Sequence, residues 1–384
     1  MLIVAAQVVT PARVLAPGWL RLHGDRLVEI GEGPPPLAPD LDLGAVTLAP
    51  GFVDIHVHGG GGASFDTGTV AAAGTAIDAH LAHGTTSMVA SLVTDTLDRM
   101  GATIRSLAPL VEEGRLCGVH LEGPWLSPRR SGAHRPGSLA RPDPTSVAAL
   151  VEAGGGSVRM VTLAPELPGG LDAVRLLADA GVVVAVGHTD ATYDQARAAI
   201  DAGARVGTHL FNAMSGLHHR EPGAAGALLD ADPDLGVHLE LVADGVHLHP
   251  AVLRTAFAAR PGRCVLVTDA MSAAAAGDGD YRLGPMDVEV RDGVARLAGT
   301  DGAIAGSTLT MDAAVRVAVR QAGLPLAEVL HAASTAPARA LGLDDVGSLE
   351  PGRRADLVVL DDDLRVVRVM RAGAWVGADK TART

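Results

Sequence analysis

The central part of the chain alternates short apolar runs with longer stretches rich in Ala, Leu and Asp. Short apolar runs are typical of buried strands, and the stretches between them are long enough for helices. The pattern predicts eight strands, at about 52–57, 86–92, 116–121, 157–163, 182–187, 205–210, 237–242 and 264–268. It predicts helices between them at about 68–83, 95–113, 143–153, 170–180, 191–202 and 249–259, with Asp190 as an N-cap. Eight such units over roughly 250 residues indicate a TIM (β/α)8 barrel.

Both ends of the chain carry β patterning instead. Residues 1 to about 50 form short apolar pieces separated by Gly and Pro, and residues 355–361 (ADLVVLD) return to this pattern. A helical tail, at about 308–322, 325–333 and 336–341, lies before the second β region. We therefore expect a small β-sandwich domain formed by both termini, residues 1–49 and 343–384. The barrel, residues 50–342, is inserted between its two halves.

Composition excludes several classes of partner. The 384-residue chain is 48% hydrophobic and has a formal net charge of −13, which opposes binding to nucleic acid or to an anionic membrane surface. No apolar run approaches the roughly 18 residues of a membrane span, and the N-terminus lacks the basic region of a signal peptide. The only two cysteines, Cys117 and Cys264, lie in apolar runs and predict buried thiols. These features favour a cytoplasmic protein.

Polar side chains occupy the carboxyl ends of five predicted strands. His56 and His58 end the first strand, and side chains two residues apart point to the same face. The third, fifth, sixth and eighth strands deliver Glu122, His188, His209 and Asp269. Each alone has an ordinary explanation, as a helix cap, a core histidine or the start of a turn. Because these strand ends line one barrel mouth, we expect the set to bind a metal.

The donor types restrict which metal this site prefers. The predicted ligands offer nitrogen and oxygen atoms and no thiolate. Such a set suits Zn²⁺ best, and also Fe²⁺, Mn²⁺ or Co²⁺.

Short motifs give the chain a family resemblance. Residues 50–59 (PGFVDIHVHG) and the strand-end Glu, His and Asp resemble the amidohydrolase superfamily. Further motifs are similar to one branch of it: HLEGP at 120–124, GHT at 187–189, THLFNAM at 208–214, REPG at 220–223, DGVH at 244–247 and TDA at 268–270. THLFNAM is the most specific of them. The resemblance implies a metal-dependent hydrolysis of N-acetylglucosamine 6-phosphate to glucosamine 6-phosphate and acetate.

The resemblance also implies roles for the site residues. Glu122, His188 and His209 are expected to hold the principal metal. Asp269 is expected to take a proton from the attacking water as a general base and to pass it to the departing amine as a general acid. His134, in the loop 127–137, is expected to stabilise the oxyanion of the tetrahedral intermediate.

The first-strand histidines bear on the number of metal ions. Some members of the family replace these two histidines by residues that are not ligands and keep one metal. Since this chain retains His56 and His58, we expect one or two ions per subunit and favour two.

A phosphorylated substrate needs local cations in a protein of charge −13. The only lysine, Lys380, lies far from the motifs, so arginine or histidine must bind the phosphate. The resemblance places Arg220 and His247 on the phosphate, with Asn212 and Ala213 offering further contacts. It also implies a homodimer in which Arg220 reaches the site from the neighbouring subunit.

Three other functions fit parts of the sequence. An amidohydrolase acting on a cyclic amide or an N-acyl amino acid would share the ligands but would leave Asn212, Arg220 and His247 without a role. A non-catalytic assembly protein would not need all six ligand positions. A serine esterase is suggested by residues 58–61 (HGGG), but the sequence contains no Gly-x-Ser-x-Gly motif.

Overall fold

Eight parallel strands form a nearly closed barrel at the centre of the molecule. The computed structural model describes residues 1–299 and 302–377. The barrel strands are β1 (Phe52–Asp54), β2 (Thr85–Val93), β3 (Gly118–Glu122), β4 (Val158–Leu163), β5 (Val183–Val186), β6 (Ala204–Gly207), β7 (His238–Val242) and β8 (Cys264–Val267). Each strand pairs with the next in sequence. A parallel bridge between Val57 and Ala270 joins β1 to β8, so the predicted TIM barrel is confirmed.

Helices alternate with the barrel strands. They are α1 (Val70–Ala82), α2 (Leu97–Glu112), α3 (Pro144–Ala153), α4 (Gly170–Asp179), α5 (Tyr193–Asp201), α6 (Gly223–Leu229), α7 (Pro250–Ala259), α8 (Met311–Arg316), α9 (Leu326–Ala333) and α10 (Thr335–Ala340). A π-helical stretch, Val317–Gln321, continues α8. The predicted helices are confirmed within a few residues, but the short, Gly- and Ala-rich α6 was not predicted.

The predicted N-cap of α5 was wrong. Thr192, not Asp190, caps this helix: its hydroxyl accepts from the Gln195 N–H, and the Gln195 side chain accepts from the Thr192 N–H. This reciprocal capping box satisfies two unpaired backbone donors at once. The Asp190 carboxylate instead pairs with Arg129 and Arg130.

Strands from both chain ends share one small sheet. In spatial order its six strands are Ala374–Trp375, Val366–Arg371, Leu357–Leu360, Thr47–Pro50, Gln7–Val9 and Val14–Leu15. Leu357 lies opposite Pro50 and Leu360 opposite Thr47 in an antiparallel register. A second sheet, of four strands, consists of Arg26–Glu32, Gly18–His23, Leu2–Ala5 and Leu41–Asp42.

The two small sheets enclose one apolar core, to which Ile3, Leu20, Leu48 and Leu357 contribute. This arrangement agrees with the predicted β-sandwich of both termini. The bounds 1–49 and 343–384 stay a prediction, and their last residues, 378–384, which include Lys380, lie outside the described part of the chain.

A third small sheet follows β8 and was not predicted. Its antiparallel strands are Gly279–Leu283, Met286–Arg291 and Val294–Leu297. Its middle strand alternates exposed and buried residues, with Val288 and Val290 packed against Val93 of β2 and Met271. This packing fastens the sheet over the carboxyl end of the barrel. The remaining short elements are strands Gly59–Gly60 and Ala63–Ser64 and the 3-10 turns Phe65–Thr67, Pro128–Arg130, Pro136–Ser138 and Pro233–Leu235.

A buried carboxylate reinforces the closure between β1 and β8. Asp54 accepts from the Thr268 hydroxyl at 2.6 Å, from the Thr268 N–H at 3.3 Å and from the His56 N–H at 3.2 Å. Burial raises the pKa of Asp54 to about 7 in spite of these bonds. The backbone of His56 and Asp269 is joined next to it, where the Asp269 N–H donates to the His56 carbonyl at 2.9 Å. Asp54 therefore fixes the two strand ends that carry site residues.

Within residues 1–299 and 302–377, no helix combines the length and the apolar character that a membrane crossing requires. Both cysteines are free; Cys264 is buried, and Cys117 is half-buried.

Gly84 provides a test of how the small sheet packs on the barrel. It precedes β2 with φ +93°, and a Cβ atom there would lie 2.9 Å from side-chain carbons of both Phe52 and Val358. We expect Gly84→Ala to lower the free energy of unfolding by about 1 kcal/mol from backbone strain and by about 1–3 kcal/mol more from overpacking. Equilibrium urea unfolding measures the sum of the two losses.

The matched control is Gly181→Ala. Gly181 also has a left-handed backbone, with φ +73°, but a Cβ atom there would meet nothing within 4 Å. This variant should show the strain without the overpacking. Equal losses in the two variants would contradict the packing argument.

Candidate functional site

Three site residues lie at strand ends with a left-handed backbone. His188 follows β5 with φ 46°, His209 follows β6 with φ 27° and Asp269 follows β8 with φ 49°. Residues other than glycine adopt this conformation at a cost of about 1–2 kcal/mol. Each strained turn aims a side chain at the barrel axis instead of letting it continue the strand alternation.

The carboxylate of Glu122 lies at the centre of the site. Its Oε1 atom is 3.0 Å from the Nε2 atoms of both His188 and His209, which are 3.1 Å from each other. Its Oε2 atom is 3.3 Å from the Nε2 atoms of both His58 and His134. One buried carboxylate, at the end of β3, therefore contacts side chains that follow three other strands and one from a loop.

His56, His58 and Asp269 form the other side of the cluster. The two Nε2 atoms of His56 and His58 are 3.1 Å apart. The Asp269 Oδ1 atom lies 3.6 Å from the first and 3.3 Å from the second. The cluster thus brings together every metal ligand that the sequence predicts.

Contacts at Nδ1 determine the tautomers of His58 and His188. The Nδ1 atom of His188 lies 2.9 Å from the Arg130 carbonyl oxygen, and that of His58 lies 3.2 Å from the Ser91 carbonyl oxygen. Because a carbonyl oxygen only accepts, both Nδ1 atoms carry the proton. In the neutral rings the Nε2 lone pairs then point into the cluster, as metal ligation requires.

His134 has the opposite tautomer. The backbone N–H of Thr94 donates to its Nδ1 atom at 3.2 Å. A neutral ring whose Nδ1 accepts must carry its proton on Nε2. His134 therefore presents an N–H donor to the cavity, and this distinguishes it from His58 and His188 although its Nε2 atom also lies near Glu122.

Charges and burial shift the pKa values of the cluster in opposite directions. Burial lowers the pKa of His56, but the Glu240 and Glu122 carboxylates outweigh burial and raise it well above its usual value. Burial raises the pKa of Glu122, yet the surrounding imidazoles, His56 first, hold it well below its usual range. The pKa of Asp269 is lowered in the same way, by His56 and His58 against burial. Ionised carboxylates therefore face imidazoles that gain protons, and a divalent cation would replace those protons.

His188, unlike His56, has a lowered pKa. Burial lowers its pKa to about 4, with the neighbouring His134 adding to the effect. It is therefore neutral at pH 7, the form in which an imidazole binds a metal.

The residues present fit a divalent cation. The cluster offers imidazole nitrogens and carboxylate oxygens without a thiolate. In the described part of the chain, neither arginine nor lysine pairs with Glu122, Asp269 or Glu240. Buried carboxylates that lack a basic partner are typical of metal sites.

A cavity of about 330 Å³ opens above the cluster. Asn212, Ala213 and His247 are among the residues that line it. The Asp244 carboxylate holds the His247 ring through Nδ1 at 2.6 Å; burial lowers the pKa of His247, but Asp244 outweighs burial and raises it. The predicted substrate contacts therefore share one cavity, with one exception. Arg220 is exposed, does not line the cavity, and lies in the loop between β6 and α6.

Several residues at the site were not predicted. Arg129 and Arg130 line the cavity and are held by Asp190. Glu240, on β7, contacts the Nδ1 atom of His56 at 2.9 Å. A charged residue inside an otherwise apolar strand (LEL at 239–241) was the available signal for Glu240.

Comparison with known proteins identifies relatives of this chain. The Amidohydrolase family model matches residues 47–376. N-acetyl-D-glucosamine-6-phosphate deacetylase from Mycobacterium smegmatis is 51% identical in sequence, with a TM-score of 0.95 over 98% of this chain and 100% of that one. An Asp-to-Ala variant of the same enzyme, solved in complex with N-acetyl-D-glucosamine-6-phosphate, is similar at 52% identity and a TM-score of 0.95 over 98% of both chains.

A curated relative carries a different sugar in its name. N-acetylgalactosamine-6-phosphate deacetylase of Escherichia coli O157:H7 is 40% identical over 93% of this chain and 95% of its own length. The family model and these relatives cover most of the sequence. The chain belongs to the amidohydrolase family.

Proposed function

We propose that this protein is a metal-dependent deacetylase that hydrolyses N-acetylglucosamine 6-phosphate to glucosamine 6-phosphate and acetate. The observation that carries the proposal is the Glu122 cluster, in which ligand-type histidines and one N–H donor face the same cavity. The deacetylase from M. smegmatis, at 51% identity over 98% of this chain, supports the substrate.

Each subunit is proposed to bind two metal ions. Glu122, His188 and His209 would hold the first ion, and His56 and His58 would hold the second, with Glu122 shared between them. Among divalent ions, Zn²⁺ suits these donors best, with Fe²⁺, Mn²⁺ and Co²⁺ as alternatives. When bound, such an ion polarises the substrate carbonyl and lowers the pKa of a bound water.

Asp269 is proposed to move the proton. Its lowered pKa keeps it ionised at neutral pH, so it can accept a proton from the attacking water as the new C–O bond forms. When the C–N bond breaks, Asp269 returns this proton to the departing nitrogen, which leaves as the amine. The acyl group leaves as acetate.

His134 is proposed to stabilise the transition state. The Thr94 N–H holds its tautomer so that Nε2–H points into the cavity. During the proposed reaction the carbonyl oxygen becomes an oxyanion. The Nε2–H of His134 already points into the cavity before that step, so the ring needs no rearrangement.

The phosphate is proposed to bind at His247. This side chain, held by Asp244, can donate from Nε2, and Asn212 and Ala213 line the same cavity. Arg220 has no carboxylate partner within the described residues, and we propose that it reaches the cavity of a second subunit in a homodimer.

The C4 epimer is a second candidate substrate. The E. coli relative at 40% identity is named for N-acetylgalactosamine 6-phosphate. The two sugars differ only at C4, so both belong in the first assay.

The first prediction concerns the phosphate. Acetate release should be faster from N-acetylglucosamine 6-phosphate than from N-acetylglucosamine, with kcat/KM higher by a factor of about 100 or more, because buried donors are left unpaired when the phosphate is missing. Arg220→Ala should lower the ratio of the kcat/KM values for the phosphorylated and unphosphorylated sugars. Equal kcat/KM values for the two sugars would contradict the proposal that the protein recognises the phosphate.

A second prediction concerns Asp269. Asp269→Asn should lower kcat by a factor of about 10²–10⁴, because an amide cannot carry the proton, while the first metal position stays filled. Turnover and elemental analysis of the same sample measure both effects. Retained activity would end the role of Asp269 as proton carrier.

A third prediction concerns the number of ions. The purified protein should bind two equivalents of Zn²⁺, and the double variant His56→Ala, His58→Ala should bind one, because Glu122, His188 and His209 remain. His23→Ala, at an exposed histidine of the four-stranded sheet, is the control and should bind two. Two ions in the double variant would exclude the first-strand histidines as ligands.

A further inference from the structure

Glu240 is a buried carboxylate that the proposed mechanism does not use. It lies in the middle of β7 and is fully buried, with Leu239 and Leu241 on either side. Burying a carboxylate costs several kcal/mol unless its oxygens are bonded. In residues 1–299 and 302–377, no arginine or lysine pairs with it. Its partners are the residues of the proposed metal centre.

One oxygen of Glu240 binds two of the proposed ligands. Its Oε2 atom lies 2.9 Å from Nδ1 of His56 and accepts from the backbone N–H of His209 at 3.2 Å. The Glu240 carbonyl also accepts from the Leu210 N–H at 2.8 Å. The side chain thus joins β1 to the turn after β6, two parts of the barrel that are not neighbours in the sheet.

Each of the two contacts fixes a different property. The bond to His56 keeps a proton on Nδ1, so in the neutral ring Nε2 has the lone pair, 3.5 Å from Oε1 of Glu122. The bond to His209 holds the backbone of its left-handed turn, which places Nε2 at 3.0 Å from the same oxygen. Carboxylates that orient ligand histidines from outside commonly change metal affinity 10–100-fold when replaced.

We infer that Glu240 is a positioning residue that holds one ligand of each proposed metal position, His56 of the second and His209 of the first. This inference rests on the proposed function only in taking these histidines as ligands. Glu240 is not among the residues that line the cavity.

The test compares two substitutions at this position. In Glu240→Gln the amide oxygen can still accept both bonds, whereas Glu240→Leu removes them at similar volume. Zn²⁺ affinity, measured on metal-free protein by competition with a chromogenic chelator, should fall 10–100-fold in Glu240→Leu and less in Glu240→Gln. With Co²⁺ as the probe, the visible absorption spectrum of Glu240→Leu should differ from that of the unmodified protein, because the ligand rings are no longer held.

Thr162→Val is the matched control. Thr162 is also buried inside the barrel, and its side chain bonds His120 and Thr208 at 2.9 and 2.8 Å. Its backbone pairs with that of Glu122 in the sheet, which the substitution keeps, but its side chain bonds none of the proposed ligands. Its Zn²⁺ affinity and Co²⁺ spectrum should match those of the unmodified protein. An equal loss of affinity in Thr162→Val would show that any buried polar change disturbs the site, and would overturn the inference.

The outcome also separates this inference from the proposed function. Folded Glu240→Leu that binds Zn²⁺ with unchanged affinity and an unchanged Co²⁺ spectrum overturns the inference, even where the unmodified protein is an active deacetylase. A protein without deacetylase activity whose metal affinity still falls in this variant keeps the inference and removes the function. Where circular dichroism shows that Glu240→Leu does not fold, Glu240→Asp replaces it: the shorter side chain withdraws the oxygen, and unchanged Zn²⁺ affinity would overturn the inference equally.

Discussion

The contact between the Glu122 carboxylate and the imidazoles around it is the interaction on which the site depends. Both of its oxygens are used: Oε1 faces His188 and His209, and Oε2 faces His58 and His134. A carboxylate this deeply buried is stable only among groups that supply positive charge or donors. The barrel therefore has to deliver several strand ends to one point, and the strained turns after β5, β6 and β8 are the backbone cost of that convergence.

The tautomers divide the histidines by chemistry. A carbonyl oxygen at Nδ1 leaves the Nε2 lone pairs of neutral His58 and His188 facing the cluster, whereas a backbone N–H at Nδ1 makes Nε2 of His134 an N–H donor. All three Nε2 atoms lie within 3.3 Å of Glu122. The distances to Glu122 therefore do not distinguish the proposed ligands from the proposed oxyanion donor, whereas the contact at Nδ1 of each ring does.

The sequence was sufficient to predict the barrel and the residues that the cluster brings together, because both depend on local signals: short apolar runs, and polar residues at their ends. The role of these residues as ligands stays a prediction. It was insufficient where the signal is not local. The sequence pattern indicated Asp190 as a helix cap, but its carboxylate pairs with Arg129 and Arg130, which are distant in sequence. Glu240 was missed because its meaning comes from His56, on a strand that is not its neighbour. The sheet at 279–297 was missed because its strands are short and half exposed.

Charge balance bears on the number of ions. The imidazoles around Glu122 and Asp269 hold the pKa values of these two carboxyls below their usual range, and Glu240, behind His56, is a third buried carboxylate. No arginine or lysine within the described residues pairs with any of the three. Buried carboxylates without such a partner are stable only where cations or donors lie close to them. The retention of His56 and His58, and of a carboxylate behind His56, therefore favours a centre with two ions over one in which the first-strand histidines only fill space.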